Sequence, residues 1–338
     1  MCAHFPALKI MRQTNNKYLI SIIAFVSCCH LFFVASISAQ NEAPGFTHPI
    51  GDFVSVNGKK LWYESEGKGE PLLLIAGGPG FSHAYFHPFF SALAKSNRII
   101  YFDAYGTGKS ERAKSVKDYS LMRDVEDVES LRKALKLEKI NVLGHSYGGF
   151  VAQLYAAKYP NSVKRLVLAN TFPSGDTIQS LQDNFNENVR NQLPEVWAKV
   201  EQIRAKGFLS GSKEHQEVYS IPPTFSFFYN PENARLLPVT EPDLYNPDLW
   251  YAMAGDDADF VVKGELSTFD VRRQLKSMKI PMLVLAGRFD RMVPPKVTVQ
   301  YKNLAPQAEF IMIETSGHFP FIEENEKTLA VLKAFLAR

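Results

Sequence analysis

Cysteine is almost missing from this chain of 338 residues. Its three cysteines, Cys2, Cys28 and Cys29, all lie near the N-terminus, so the rest of the chain has no thiol and cannot form a disulfide. No His-Glu-x-x-His motif and no pair of metal-binding cysteines occurs, so we expect neither a catalytic metal nor another cofactor. Basic clusters interleaved with aromatic residues are also absent, and nucleic acid is therefore not an expected partner.

Long apolar runs are scarce as well, apart from one near the N-terminus. Three basic residues between positions 9 and 17 precede an apolar stretch over residues 18–34, and small residues follow up to Ala39. This pattern predicts a signal peptide over residues 1–39 and export to the periplasm or beyond. The alternative is a retained membrane anchor, because the stretch approaches the roughly 20 residues that span a bilayer. A mature chain without this leader would have no membrane partner, and nothing in the sequence specifies an oligomer.

Charge is unevenly distributed along the chain. The formal net charge is +3, and the leader contributes all of it, so the mature chain is neutral overall. Residues 172–265 contain 15 acidic and 7 basic residues. Such a segment is either an ordinary solvated surface or an acidic region that attracts a cationic substrate.

The most informative pattern surrounds Ser146. Residues 140–143 form a short apolar run typical of a buried strand, and helical spacing begins at Phe150. Gly144-His145-Ser146-Tyr147-Gly148 therefore lies on the corner between a strand and a helix, where glycines accommodate a strained serine backbone. This corner predicts a nucleophile at Ser146, with the backbone N–H of Tyr147 as an oxyanion donor.

The remaining patterns predict an α/β fold with a mostly parallel central sheet and helices on both faces. An alternation around Asn57-Gly58 indicates a β-hairpin. Apolar strands then alternate with helical stretches; the predicted segments are strands over 72–75, 98–102, 165–169, 282–286 and 308–313, and helices over 89–95, 121–137 and 328–336. In such sheets the active site lies at the carboxyl ends of the strands.

The alternation stops between residues 172 and 265. This stretch has helical patterns and aromatic, proline-containing turns, and it is too long for a loop. We interpret it as an inserted, mainly helical cap. The predicted core then consists of residues 40–171 and 266–338.

A serine nucleophile requires a base and an acid, and two residues downstream suit these roles. Asp290 and His318 each follow a predicted strand by a few residues, so they share the sheet edge of Ser146. His318 would accept the Ser146 proton and Asp290 would fix the imidazole tautomer; Asp270 is the spare candidate for the acid.

Other polar residues are assigned as follows. Gly77-Gly78-Pro79-Gly80 follows a strand, where a second oxyanion donor is expected from Gly78 or Gly77. Asp103 stands where a phosphate-binding loop would need glycine, so the Gly-Thr-Gly-Lys-Ser run at 106–110 is interpreted as a structural turn. Three residues, His145, Asp124 and Asp127, are interpreted as structural, and His83 and His87 as candidate lining of the cleft.

With these residues in place, the sequence resembles the α/β-hydrolase superfamily and, more narrowly, the proline iminopeptidase family of serine peptidases. The resemblance runs from the hairpin to the last helix and is weakest in the cap. Its motifs are Gly77-Gly78-Pro79-Gly80, the turn from Asp103 to Ser110, Gly144-His145-Ser146-Tyr147-Gly148-Gly149, Gly287-Arg288-Phe289-Asp290 and Ser316-Gly317-His318-Phe319. The family usually has His where this chain has Ala76, and often Trp where it has Tyr147.

The resemblance implies removal of an N-terminal residue, typically proline, from small peptides through an acyl-enzyme. It also implies acidic cap residues that bind the free α-amine, for which Glu232, Asp256 and Asp257 are the candidates. The alternative on the same scaffold is a carboxylesterase or other acyl hydrolase that takes a small ester. A non-catalytic binding protein is a third hypothesis, since fold alone does not fix function.

Overall fold

A computed structural model describes residues 48–219, 224–237 and 243–338. The predicted leader lies outside this range. Within it, eight strands form one sheet; they are β1 Gly51–Val56, β2 Lys59–Glu66, β3 Glu70–Ile75, β4 Asn97–Phe102, β5 Ile140–His145, β6 Val163–Ala169, β7 Met282–Gly287 and β8 Glu309–Ile313. The strand order is β1-β2-β4-β3-β5-β6-β7-β8. Pairs β1–β2 and β2–β4 are antiparallel and all others are parallel, which confirms the predicted fold class.

Helices follow most of the strands. In the described ranges they are α1 Leu121–Ala134, α2 Tyr147–Lys158, α3 Ile178–Gln192, α4 Pro194–Ala205, α5 Lys213–Tyr219, α6 Thr224–Phe227, α7 Asp248–Ala254, α8 Gly264–Thr268, α9 Arg272–Ser277, α10 Pro295–Thr298, α11 Tyr301–Leu304, α12 Pro320–Glu323 and α13 Asn325–Leu336. None of these helices has the length and apolar character needed to cross a bilayer.

The central strands are buried on both faces because helices cover both sides of the sheet. All residues of β5 and β7 are buried. Side chains alternate along β5, so that Val142 packs into one hydrophobic cluster and Leu143 into the cluster on the other face. This double burial explains why the strands are continuous apolar runs in the sequence.

The predicted hairpin is present in the structure, whereas two of the predicted helices differ from it in length or type. Asn57 and Gly58 both have positive φ, 51° and 78°, which confirms a tight hairpin turn between β1 and β2. The helix expected over 121–137 ends at Ala134, because Lys136 adopts a left-handed conformation with φ 55°. The segment expected as a helix over 89–95 is a 3₁₀ turn over Ser91–Lys95.

The stretch predicted as a cap, residues 172–265, carries α3 to α7 and the start of α8, and its described residues contribute no strand to the sheet. It contacts the core at several points. Tyr245 forms an isolated bridge with Phe81, and the backbone N–H of Leu121 donates to Glu265 Oε1 at 2.5 Å. These contacts hold cap residues against the segment after β3 and against the start of α1.

Candidate active site

Ser146 lies on the sharp corner that joins β5 to α2. Its backbone has φ 54° and ψ −122°, a conformation that L-residues rarely adopt. Close packing enforces this corner, since a Cβ on Gly144 would lie 2.2 Å from the Gly148 carbonyl oxygen and one on Gly148 would lie 2.1 Å from that of Ile75. The glycines therefore have the role that the sequence predicts for them.

Strand register brings four polar residues to one edge of the sheet. His145 at the end of β5 pairs with Ala169 of β6, so Ser146 and Asn170 follow at the same level. Asp290 follows β7 and His318 follows β8 by a few residues. The parallel strands thus end together, and the polar residues that follow them face a common region.

Asp290 and His318 are hydrogen-bonded to each other. His318 Nδ1 lies 2.8 Å from Asp290 Oδ2, and both side chains are buried. The same oxygen accepts a hydrogen bond from Asn170 Nδ2 at 2.7 Å, while Oδ1 accepts from the backbone N–H groups of Met292 and Val293 at 2.9 and 2.8 Å. Four donors hold this carboxylate in one orientation, with His318 Nδ1 protonated toward it.

Asn170 is a site residue that the sequence patterns do not single out. Its amide also donates to the carbonyl of Gly317 at 3.1 Å, so it joins the Asp290 carboxylate to the residue before His318. Its position in the sequence could have identified it, because a polar residue directly after a buried parallel strand lies at the sheet edge where active sites form.

His145 connects the His318 segment with the glycine-rich loop. Its Nε2 lies 2.8 Å from the His318 carbonyl oxygen and must donate, so Nδ1 is the acceptor for the Tyr85 hydroxyl at 3.0 Å. Burial and the nearby His318 ring lower the pKa of His145 well below its ordinary value and keep it neutral. The Tyr85 oxygen in turn accepts from the N–H of Gly77 at 2.7 Å. This chain of bonds runs from Gly77 to the backbone of His318.

The expected oxyanion donors differ in whether their backbone N–H groups already have a hydrogen-bond partner. Tyr147 is the first residue of α2, where backbone N–H groups have no partner within the helix. Gly77 lies close to Ser146, since a Cβ on it would be 3.1 Å from Ser146 Cβ, but its N–H already donates to Tyr85. Gly78 has φ 117°, which requires glycine, and it is the better candidate of the two.

A segment of the predicted cap lies directly against His318. The His318 backbone N–H donates to the carbonyl of Phe227 at 2.7 Å, and the two rings are stacked with centroids 6.1 Å apart. Nearby, the rings of Tyr229 and Phe289 are 4.5 Å apart. The residues around α6 thus form an aromatic wall beside the candidate base.

The three cap acids expected at the α-amine lie in different surroundings. Asp257 binds Arg204 through both carboxylate oxygens, at 2.6 and 3.0 Å, so a cation already neutralises it. Asp256 is exposed next to it, and Glu232 is exposed on the 3₁₀ segment Pro231–Leu236. The structure does not bring Glu232 together with the other two.

Asp270, the spare candidate for the acid, pairs with Arg272 at the surface. Its carboxylate shares Arg272 with Asp176. The turn that follows β4 is organised by the Asp103 side chain, which accepts from the backbone N–H of Lys109 at 2.9 Å. This contact agrees with the interpretation of the Gly-Thr-Gly-Lys-Ser run as a structural turn.

A small cavity lies between the segment after β3 and the first turns of α2. Its lining includes Ala76, Gly77, Tyr147 and Leu249, and Asp124 is the one carboxylate among the described lining residues. The Tyr147 hydroxyl donates to Asp124 Oδ2 at 2.6 Å. Burial raises the pKa of Asp124 to about 7 despite this hydrogen bond, so the group is largely protonated in mildly acidic solution.

This raised pKa predicts a pH-dependent stability. An unfolded Asp titrates near pH 4, so between about pH 4 and 7 the native chain holds a proton that the unfolded chain has lost. The free energy of unfolding therefore decreases as the pH rises through that window and remains lowered above it. We expect Asp124→Asn, which keeps a partner for Tyr147, to be about 2–4 kcal/mol more stable than the parent at pH 8 and nearly equal at pH 3.5.

Urea unfolding at the two pH values measures this difference. Asp118→Asn is the matched control, because it makes the same change at a half-exposed carboxylate near the same helix. Parallel pH profiles for the parent and Asp124→Asn would contradict the interpretation.

Comparison with known proteins agrees with this geometry. A sequence model of the alpha/beta hydrolase fold family matches residues 70–325. A proline iminopeptidase of Heyndrickxia coagulans is 31% identical over 290 residues, which cover 84% of this chain and 97% of that protein. One from Saccharolobus solfataricus is 27% identical over 281 residues, covering 81% of this chain and 87% of its own. The crystal structure of a Mycobacterium smegmatis proline iminopeptidase superposes with a TM-score of 0.64 at 22% identity, over 85% of this chain and 98% of that one.

Proposed function

Since the chain belongs to the α/β-hydrolase family, and within it to the proline iminopeptidase-like hydrolases, we propose that it is a serine aminopeptidase. Its substrates are short peptides, from which it releases an N-terminal residue, with proline the first to test. The observation that carries the proposal is the 2.8 Å bond between His318 and Asp290 at the sheet edge where Ser146 occupies its strained corner. The relatives named above support the choice of peptide over ester.

In the proposed reaction, Nε2 of His318 takes the Ser146 proton while Oγ attacks the carbonyl carbon of the N-terminal residue. The backbone N–H groups of Tyr147 and Gly78 stabilise the resulting oxyanion. His318 then gives its proton to the leaving amine, and an aminoacyl ester remains on Ser146. Water, deprotonated by His318, hydrolyses this ester and restores the serine. Asp290 holds the imidazole in the tautomer that both steps need.

Recognition of the substrate's α-amine is assigned to cap carboxylates. Asp257 is bound to Arg204, so it could serve only if that ion pair opened, whereas Glu232 and Asp256 are exposed. An ammonium group held at a fixed distance from Ser146 would limit cleavage to the first residue of a peptide. Export of the enzyme rests on the predicted leader alone.

A hydrolysis assay tests the proposal. We expect the chain from Gln40 onward to cleave prolyl or alanyl arylamides, and to lose at least roughly 100-fold in kcat/KM when the α-amine is acetylated, because the charge that the cap binds is then removed. Short-chain esters provide the comparison. Cleavage of esters with no cleavage of any aminoacyl arylamide would reject the peptidase and leave an acyl hydrolase.

The same assay distinguishes the cap carboxylates. Glu232→Gln and Asp256→Asn are compared with Asp257→Asn, and the variant that raises KM for the free amine without changing ester hydrolysis identifies the binding group.

A further inference from the structure

A second cluster of titratable groups lies beside β2 and takes no part in the proposed hydrolysis. Within the described ranges, His48, Glu64, His83 and His87 form a group whose nitrogen and oxygen atoms all lie within 4.8 Å of one another. The side chains of Glu64, His83 and His87 are only 1%, 5% and 2% exposed, whereas His48 is 41% exposed. Burying a carboxylate among imidazoles is costly unless the group has a specific partner.

The three separations from Glu64 Oε2 match those between ligand atoms around a tetrahedral metal ion. Glu64 Oε2 lies 3.2 Å from His87 Nε2, 3.3 Å from His83 Nε2 and 3.5 Å from His48 Nδ1. In a tetrahedral zinc site with bonds of about 2.0–2.1 Å, neighbouring ligand atoms are roughly 3.3 Å apart. The rings of His83 and His87 are inclined at 86° to each other, with their centroids 5.5 Å apart.

The hydrogen bonds around the group leave Glu64 Oε2 and His83 Nε2 facing its interior. His83 Nδ1 lies 2.7 Å from Asp103 Oδ1, and the acceptor there requires the proton to be on Nδ1. Glu64 Oε1 accepts from Trp62 Nε1 at 3.1 Å and has Lys109 Nζ at 3.7 Å. Nδ1 of His83 and Oε1 of Glu64 thus contact residues outside the group.

The inward atoms of this pair have no such partner. Glu64 Oε2 and His83 Nε2 are both buried without a hydrogen bond of acceptable geometry. In the neutral imidazole both atoms are acceptors, and two acceptors 3.3 Å apart repel each other. A cation between them removes this repulsion, and it is either a second proton on His83 or a metal ion. An imidazole held by a carboxylate on its other nitrogen is the usual outer arrangement of a metal-binding histidine.

We propose that His48, Glu64, His83 and His87 bind one Zn²⁺ ion in a closed structural site. Three imidazole nitrogens and one carboxylate oxygen suit zinc, whereas Mg²⁺ and Ca²⁺ require oxygen ligands. Four ligands from the chain leave no position for substrate, so the ion has no direct part in hydrolysis. This inference goes beyond the proposed peptidase function and does not depend on it.

The site would connect three parts of the fold. His48 precedes β1 and Glu64 lies on β2. Of the two remaining ligands, His83 begins the 3₁₀ segment His83–Phe86 that follows the glycine-rich loop, and His87 comes directly after that segment. Between these two ligands lies Tyr85, whose hydroxyl accepts the Gly77 N–H. An ion at this site therefore fixes the tyrosine that holds the loop carrying the candidate oxyanion donor.

Metal content and thermal stability test the proposal. Full-length protein, purified without a metal-affinity tag, is expected to contain about one zinc ion per chain when measured by inductively coupled plasma mass spectrometry. Removal of the metal by a chelator should lower Tm by roughly 10 °C, and Zn²⁺ but not Mg²⁺ should restore it. Co²⁺ in place of zinc should give the intense visible absorption of a tetrahedral centre. These readouts need no substrate.

Two variants and a matched control locate the site. Glu64→Gln and His48→Asn should each weaken zinc binding by roughly 100-fold or more. Glu66→Gln makes the same change two residues along β2, where the side chain accepts from Tyr101 and Ser91, and it should retain the zinc. If Glu64→Gln fails to fold, His48→Asn decides, because the His48 side chain is 41% exposed and its replacement disturbs the core less. Metal-free protein whose Tm is unchanged by chelator and by Zn²⁺ would overturn the proposal in favour of a doubly protonated His83.

Discussion

Replacing Ser146 with alanine is expected to lower kcat by roughly 10⁴- to 10⁶-fold for any substrate that the enzyme hydrolyses. The reason is chemical, because the variant has no oxygen to form the acyl-enzyme. Residual hydrolysis would come from the oxyanion donors and the bound geometry alone. The backbone conformation at position 146 and its surroundings are unchanged by the loss of one oxygen, so substrate should still bind with a similar Kd.

The measurement is single-turnover hydrolysis together with substrate binding to the variant. Ser130→Ala is the control, since that hydroxyl donates to Asn57 Oδ1 in the turn between β1 and β2. Activity within tenfold of the parent in Ser146→Ala would remove this residue as the nucleophile. A biological effect that persists without activity would favour the non-catalytic binding protein.

Replacing Asp290 with asparagine should lower kcat by about 10⁴-fold. Oδ1 of Asp290 accepts two backbone N–H groups, so the carbonyl oxygen of an asparagine would occupy that side. Its NH₂ group would then face His318 Nδ1 and force that nitrogen to be the acceptor. The proton moves to Nε2, which can no longer accept one from Ser146. The wrong tautomer, rather than a lost contact, is the expected cause.

Steady-state kinetics and an NMR spectrum of the His318 ring protons check this outcome. Asp270→Asn is the control, because Asp270 is the competing candidate in the sequence and lies at the surface with Arg272. We expect less than a twofold change in kcat for it. A large loss in Asp270→Asn with normal activity in Asp290→Asn would reverse the assignment of the acid.

Much of this site follows from local patterns in the sequence, for a physical reason. Buried parallel strands are continuous apolar runs, and the residues just after them must lie at one edge of the sheet. The strands before Ser146, Asp290 and His318 could therefore each be recognised from the sequence. The polar residues that follow them could then be placed in one site without knowledge of the strand order. The family and the fold class are confirmed on this basis.

Other features depend on contacts that no local pattern encodes. The group at Glu64 forms because β2 pairs antiparallel with β4, which brings its side chain to a 3₁₀ segment about twenty residues later. His83 and His87, expected as candidate lining of the cleft, are buried against that carboxylate. Similarly, the acidic excess of the cap does not reveal which way a side chain points, and Asp257 proves to be bound by Arg204.

The strained conformation of Ser146 affects which substitutions at this position a selection would retain. A φ of 54° with ψ −122° costs an L-residue about 1–3 kcal/mol, and glycine would relieve most of it. A Ser146→Gly chain should therefore be the more stable protein and an inactive one. Screens that reward heat resistance or expression would select against the proposed nucleophile, whereas a screen for hydrolysis would retain it.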